Sequence, residues 1–219
     1  IAGAAQDGAA QAWCAPFVVL SSGPLSTPNT PAFPGLETFA GPVLHTADWP
    51  DVPVDFGGCH VGVIGTGSSA VQVIPRMAQQ AASVTVFQRT AAYVVPAHNG
   101  PLDPAQEGRV KADYPGFRAR NRLMRTGFGC ELPLNPASAL AASAEERAAA
   151  FEDRWRVGGF SLLGAFGDLM TDLQANALGA EFVRGKIRQQ VRDPATAALL
   201  SPQQPIGCKR MCVADDYYE

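Results

Sequence analysis

No apolar run in these 219 residues approaches the roughly 20 that a spanning helix needs, so the sequence predicts no transmembrane segment. Neither sign of charge dominates: 17 Lys and Arg stand against 20 Asp and Glu, which argues against nucleic acid or an anionic membrane as a partner. The five cysteines, Cys14, Cys59, Cys130, Cys208 and Cys212, show no CxxC spacing. The short step from Cys208 to Cys212 does not by itself make a metal site, and reduced thiols in a cytoplasmic protein are the reading. There is no initiator Met, no basic leader and no signal-like apolar core. With an end at Tyr217-Tyr218-Glu219 that reads as a strand or turn in mid-course, both termini are expected to be cuts in a longer chain. Internal repeats are absent too. What is present is 47% hydrophobic residues, enough for one sizeable core, or for one domain plus parts of another.

Residues 1–30 read as a hairpin and then a strand. Phe17-Val18-Val19-Leu20 is a short continuous apolar run stopped by Ser21-Ser22-Gly23-Pro24, the pattern of a buried parallel strand. Pro28, Pro31 and Pro34 then predict an extended connector over 24–38. His60-Val61-Gly62-Val63-Ile64 reads as a second buried strand, Val71 to Ala82 as a helix in which Pro75 is tolerable only near the first turn, and Ser83-Val84-Thr85-Val86-Phe87 as a third strand. This βαβ order makes a parallel pair. Residues 99–200 turn helical. Ser143 with Glu146 is a capping box before Phe151 and Trp155. Leu169, Leu173, Ala177, Ala180, Val183, Ile187 and Val191 form one amphipathic stripe. Asp193-Pro194 caps and opens a helix over 194–200. Around Pro205-Ile206-Gly207 the chain turns toward a strand at Met211-Cys212-Val213.

Between the second and third strands lies Gly65-Thr66-Gly67-Ser68-Ser69-Ala70. Gly65 permits a sharp strand-to-helix turn, Gly67 lets the backbone approach a pyrophosphate, and Ala70 allows close packing of helix on strand. The free N–H groups and positive dipole end of the helix then face the phosphates. The alternative is an ordinary strand–helix turn. Its position after a strand and at the head of a helix makes a dinucleotide site the sharper reading. Where an acidic residue would take ribose hydroxyls, this chain has Gln88-Arg89-Thr90. A guanidinium there grips a 2′-phosphate that a carboxylate would repel, so NADP(H) is the expected ligand. The cofactor-binding set is Gly65, Thr66, Gly67, Ser68, Ser69, Ala70, Gln72, Arg89 and Thr90.

The linker before this unit reads Phe39-Ala40-Gly41-Pro42-Val43-Leu44-His45-Thr46-Ala47-Asp48-Trp49-Pro50. Phe39, Gly41, His45 and Trp49 fit the FxGxxxHxxxW(P) fingerprint, and in it the chain resembles the Baeyer–Villiger monooxygenases. Flavin-containing monooxygenases have a similar pattern that typically ends in another aromatic residue, so Trp49-Pro50 favours the former. FVVLSSGPLS, VIGTGSSA, VFQRT and VRDPATAALLSPQQPIGCKR extend the resemblance over essentially the whole chain, nearest the phenylacetone and steroid monooxygenase branch. Ser21 stands where that branch usually has Ala, Ala70 where it usually has Gly, and Ala91-Ala92-Tyr93 replaces a proline-containing version. None of these departures removes a charged or reacting group.

The resemblance implies an α/β fold: a Rossmann-like doubly wound NADP-binding domain with a helical insertion, plus a piece of an FAD-binding domain. The implied segments are 1–38 (FAD-binding), 39–58 (linker), 59–98 with 206–219 (NADP-binding) and 99–205 (helical insertion). FAD and NADP(H) are the implied cofactors, with Gly23 near FAD, and a ketone and O₂ the implied substrates, converted to an ester or lactone. The remainder of its own polypeptide is the expected partner. On composition alone Lys209-Arg210 would be a solvated face. The resemblance makes Lys209 a second contact to the 2′-phosphate and Arg210 the cation that stabilises negative charge building on oxygen during the reaction, a role suited to a permanently charged planar donor. His45 and Trp49 are implied to couple cofactor binding to domain rotation. Two rivals remain: oxygenation of a soft nitrogen or sulfur, and an NADP-binding module without activity of its own, since the family's N-terminal glycine motif for FAD is not in this sequence.

Overall fold

The computed structural model describes residues 2–4, 10–12, 14–21, 23, 25, 27–124 and 134–219. Cys130, Ser22 and Pro24, singled out above, lie outside the described residues. The chain divides into two units, Ile1–Val54 and Asp55–Glu219.

In the first unit, β1 (Ala2–Ala4) and β2 (Ala10–Ala12) pair antiparallel with Ala2 opposite Ala12, the expected hairpin. The expected strand at Phe17–Leu20 does not form. These residues lie outside regular structure, with Phe17 89% and Val19 87% exposed. A parallel strand needs neighbours for its ladder groups and cover for both faces, and among the described residues nothing supplies them. The proline-rich connector is interrupted by one 3₁₀ turn, Leu36–Thr38. Gly35 starts it at φ 86°, and the Thr38 hydroxyl donates to the Gly35 carbonyl at 2.8 Å.

The second unit opens with the predicted βαβ. β3 (His60–Ile64) and β4 (Ser83–Phe87) run parallel, with Val61 opposite Val84 and Val63 opposite Val86. Both strands alternate between half-buried and exposed, so β3 is not the buried strand expected. Among the described residues α1 (Ser68–Ala78) packs on them, and the opposite face, with Ile64 60% and Phe87 58% exposed, is bare. The helix starts earlier than expected and stops earlier. Pro75 sits at its eighth position rather than in its first turn. A proline there forfeits the bond to the Val71 carbonyl, and burial of its ring on the same face as Val71 compensates, since residues four apart share a face.

β5 (Val94–Val95) pairs parallel with β6 (Cys212–Val213), Val94 opposite Cys212. Between them run α2 (Pro104–Ala112), α3 (Tyr114–Leu123), α4 (Ala144–Val157), a 3₁₀ segment Gly159–Gly164, α5 (Leu173–Gln190) and α6 (Pro194–Leu200). The capping box forms: Ser143 accepts from Glu146 N at 3.2 Å, and Glu146 accepts from Ser143 N at 2.7 Å. α6 matches its expected span, capped by Asp193. On α5 the stripe holds at Ala180, Val183 and Ile187, all buried, and misses at the start of the helix. Leu173 is 75% exposed and Ala177 is exposed, while Ala175, Asn176, Gly179, Ala180, Val183 and Ile187 are buried. The Asp172 side chain, by accepting from Gln174 and Ala175 N–H at 2.7 and 3.0 Å, sets where the helix begins. That start puts Leu173 on the outer side.

The core of this unit joins β5, β6 and the helices through Val71, Tyr93, Val94, Phe151, Leu162, Phe166, Val183 and Ile187. Phe151 stacks on Phe182 and meets Phe166 edge-on at centroid distances of 5.3 and 5.4 Å, geometries that aromatic quadrupoles favour.

Candidate functional site

Three stretches far apart in sequence meet at the head of α1. Gly65 has φ 108°, a backbone open to glycine and strained for any L side chain, and its N–H donates to the Phe87 carbonyl at 3.0 Å. Thr66, 8% exposed, donates its hydroxyl to the Thr90 carbonyl at 2.7 Å. That bond fixes the glycine turn against the residue after Arg89. Ser68, the first residue of α1, donates its hydroxyl to the Cys212 sulfur at 3.6 Å, bringing the turn to the strand that follows Lys209-Arg210. Gln88 donates from Nε2 to the Leu199 carbonyl at 2.8 Å, tying the end of β4 to α6.

The turn is open. A Cβ built on Gly65 or Gly67 meets nothing within 4 Å. Asp103, Asp113, Ser143, Asp172 and Asp193 cap the other five α-helices with side-chain acceptors, whereas Gly67 offers α1 none. A helix leaves its first N–H groups unsatisfied, so α1 alone among the described α-helices presents them without a side-chain acceptor. Ala70 is half-buried, and Gln72 is exposed, with Nε2 turned back to the Ser68 carbonyl at 2.8 Å. Arg89, Lys209 and Arg210 are exposed, and among the described residues none of the three has a hydrogen-bond or ion-pair partner.

The fingerprint residues lie in the first unit. His45 and Asp48 form an isolated antiparallel bridge. His45 Nδ1 accepts from Ala47 N–H at 3.1 Å, which leaves Nε2 as the donor of the neutral ring. Phe39 is 62% and Trp49 39% exposed. A Cβ on Gly41 would come within 2.8 Å of the Phe39 ring, so glycine here is a matter of close approach. Gly23 has φ 68° and open space around it.

Sequence reasoning passed over two polar anchors near these motifs. Asp215 accepts from the N–H groups of Ala97, His98 and Asn99 at 2.9, 2.7 and 2.9 Å. Partial burial disfavours its charged form, but the three donors outweigh that and hold its carboxyl below the usual range. Tyr93, 2% exposed, donates to the Gln204 carbonyl at 2.5 Å, and burial pushes its phenol above the ordinary value. No local pattern announces either residue, because their partners lie 111 to 118 positions away.

Two clefts lie elsewhere. One of about 330 Å³ includes Asn135, Ser138, Glu146 and Phe166, and one of about 450 Å³ between α5 and α6 includes Arg184, Arg188 and Arg192. Neither contains a residue of the set above. Glu146 is held by the capping box, and Glu181 pairs with Arg184 at 2.9 Å and Arg188 at 2.6 Å. The glycine turn, rather than either cleft, is therefore the candidate site.

Residues 4–103 match the FMO-like family, described as flavin-binding monooxygenase-like. Over 207 residues the chain is 42% identical to a Baeyer–Villiger monooxygenase of Pseudooceanicola batsensis, covering 94% of this chain and 37% of that protein. It is 39% identical to a cyclohexanone 1,2-monooxygenase of an Acinetobacter species, covering 94% and 38%. Among solved structures, an oxidized steroid monooxygenase bound to NADP superposes with a TM-score of 0.82 at 49% identity, covering 90% of this chain and 38% of that one. The chain thus spans a little over a third of the length of these relatives. Its mixed parallel-strand and helix architecture is the α/β fold of the matching region. Sequence and fold together make this chain a homologue of the Baeyer–Villiger monooxygenases over the third or so of their length that it matches.

Proposed function

We propose that this chain is the NADP(H)-binding portion of an FAD-dependent oxygenase that converts a ketone to an ester or lactone with O₂. One observation carries the reading. The open, uncapped head of α1 is joined by side-chain hydrogen bonds both to the residue after Arg89 and to the strand after Lys209-Arg210. The residues fit the cofactor. Gly65 and Gly67 leave room for a pyrophosphate, with Thr66, Ser68, Ser69, Ala70 and Gln72 lining the turn, and the first N–H groups of α1 donate to it. Arg89 and Lys209, exposed and unpaired among the described residues, supply the charge for a 2′-phosphate, with Thr90 beside them. When bound, the nicotinamide supplies hydride and the flavin supplies oxygen activation. Arg210 stabilises negative charge on the reacting oxygens, and it cannot surrender a proton there.

In this reading residues 1–38 belong to an FAD-binding domain with Gly23 facing the flavin. Residues 39–58 are the linker in which Phe39, Gly41, His45 and Trp49 relay domain movement. Residues 59–98 and 206–219 form the NADP-binding domain, and 99–205 form the helical insertion. The near-balanced charge speaks against a nucleic-acid partner, and scattered cysteines without CxxC spacing support a cytoplasmic protein, acting with the remainder of its own polypeptide.

The test is cofactor choice. Two charge-assisted contacts at about 1.5–3 kcal/mol each give NADPH a preference over NADH of roughly a hundredfold or more. Arg89→Ala is expected to weaken NADPH and leave NADH nearly unchanged. Equal losses for both cofactors would overturn the assignment.

A further inference from the structure

The buried face of α5 carries one polar side chain, Asn176, 5% exposed among Ala175, Gly179, Ala180, Val183 and Ile187. Its Nδ2 donates to the Ile206 carbonyl at 2.9 Å and to the Leu169 carbonyl at 3.0 Å, and its Oδ1 accepts from Ile206 N–H at 2.9 Å. One amide thus meets both backbone groups of Ile206, as a neighbouring strand would. An apolar residue here would leave the buried N–H and carbonyl of Ile206 without a partner, so the asparagine is tied to the backbone of that one residue.

Ile206, 3% exposed, stands directly before Gly207, which has φ 95°, and the exposed run Cys208-Lys209-Arg210. The far end of that run is fixed as well. Met211 is 3% exposed, and Cys212 N–H donates to the Tyr93 carbonyl at 2.8 Å. Upstream, Gln204 Nε2 donates to the Ala91 carbonyl at 2.8 Å. The run is a short bridge whose one end is held by the sheet and whose other end is held by Asn176 from the helical segment.

We infer that Asn176 is a positioning residue for Lys209 and Arg210, setting through Ile206 where the two cations stand relative to the glycine turn. The inference rests on the proposed role of Lys209 at the 2′-phosphate. With the amide removed, both Ile206 groups lose their partner and the bridge gains freedom. A charge that must meet one phosphate is then averaged over several positions, and small displacements of this kind weaken function disproportionately.

The test measures binding of NADP⁺ and NAD⁺ by calorimetry to the intact protein carrying these residues. Lys209→Ala is expected to lower the NADP⁺ preference about tenfold or more. Asn176→Leu, apolar and of similar size, is expected to lower it roughly 5–10-fold while NAD⁺ affinity holds. Val183→Ala, at a 0% exposed site on the same helix, costs stability without removing a hydrogen bond to Ile206 and is expected to leave the preference intact. If Asn176→Leu does not fold, Gly207→Ala moves the same bridge, because its Cβ would meet Met170 Cε at 2.5 Å in a backbone strained for alanine. A preference unchanged in the bridge variants but lowered by Lys209→Ala overturns the positioning role alone. An equal fall in Val183→Ala does so too, as a general effect of lost stability. No change in Lys209→Ala defeats the cofactor reading and the inference with it.

Discussion

The residues proposed to carry chemistry and those proposed to hold them in place left unequal traces in the sequence. Gly65, Gly67 and Arg89 were legible because each sits at a fixed offset from a strand, and the structure places their stretches together. Asn176 and Asp215 were not. Each reads locally as a solvated residue, and what sets it apart lies mostly in backbone groups 30 or more positions away. Asp215 makes the point measurable. Its folded carboxyl is held below its unfolded value of about 3.9, so its stabilising contribution is fully present above that value and is lost as pH falls through the lower folded one. Asp215→Ala is expected to lose about 1 kcal/mol at pH 7, a figure already reduced for solvent screening at an exposed group. The difference from wild type should narrow as pH drops below about 4. Urea unfolding at pH 7 and at pH 3 checks this, and a constant difference at both would mean that the three N–H contacts do not favour the charged form.

Among the elements, the capped helices α4 and α6 and the paired strands β3 and β4 were read correctly, and the strand that lacks neighbours was not. Asp193-Pro194 and Ser143 with Glu146 hold their helices to the predicted starts, since a cap is a local contract between side chain and backbone. The strand at Phe17–Leu20 fails because its formation depends on partners, and the stripe of α5 departs only at Leu173 and Ala177, where Asp172, not the leucine spacing, chooses the first turn. α1 is the exception that suggests a variant. Gly67 has φ −77° and ψ 179°, a conformation open to any residue, and nothing stands within 4 Å of a Cβ there. Gly67→Asp should cap the helix and stabilise the fold by about 0.5–1 kcal/mol. The same carboxylate would occupy the phosphate position, lowering NADP⁺ affinity more than tenfold by repulsion, at about 1.4 kcal/mol per tenfold. A more stable protein with undiminished NADP⁺ affinity would show that the phosphates do not sit at this helix.

At the scale of the molecule, the chain forms two units, and no helix among its described residues is long and apolar enough to cross a membrane. The resemblance read from the fingerprint extends over 94% of the chain, although the hydrophobic pattern alone suggested more burial than β3 attains. On the proposed reading, an oxygenase carrying these residues separates reduction from oxygenation. Removing one preorganised charged donor commonly costs a factor of about 10²–10³ in the step it serves. Arg210→Ala is therefore expected to abolish ester formation while NADPH oxidation persists, so product formed per NADPH consumed collapses. An unchanged ratio at saturating ketone would reduce Arg210 to a surface residue.

The pairing of β5 with β6 has a kinetic consequence. The bond from Ala97 to Asp215 beside it closes a loop of 118 positions, while α2 to α6 form largely from contacts near in sequence. Loop closure is entropically costly before its contacts repay it, and topologies rich in distant pairings fold slowly. Helix content should then rise ahead of the ability to grip a dinucleotide, which waits for the two ends of that loop to find each other. Cofactor affinity followed through refolding would act as a clock for the long-range step, ticking only once the segment carrying Cys212 has come back to the glycine turn.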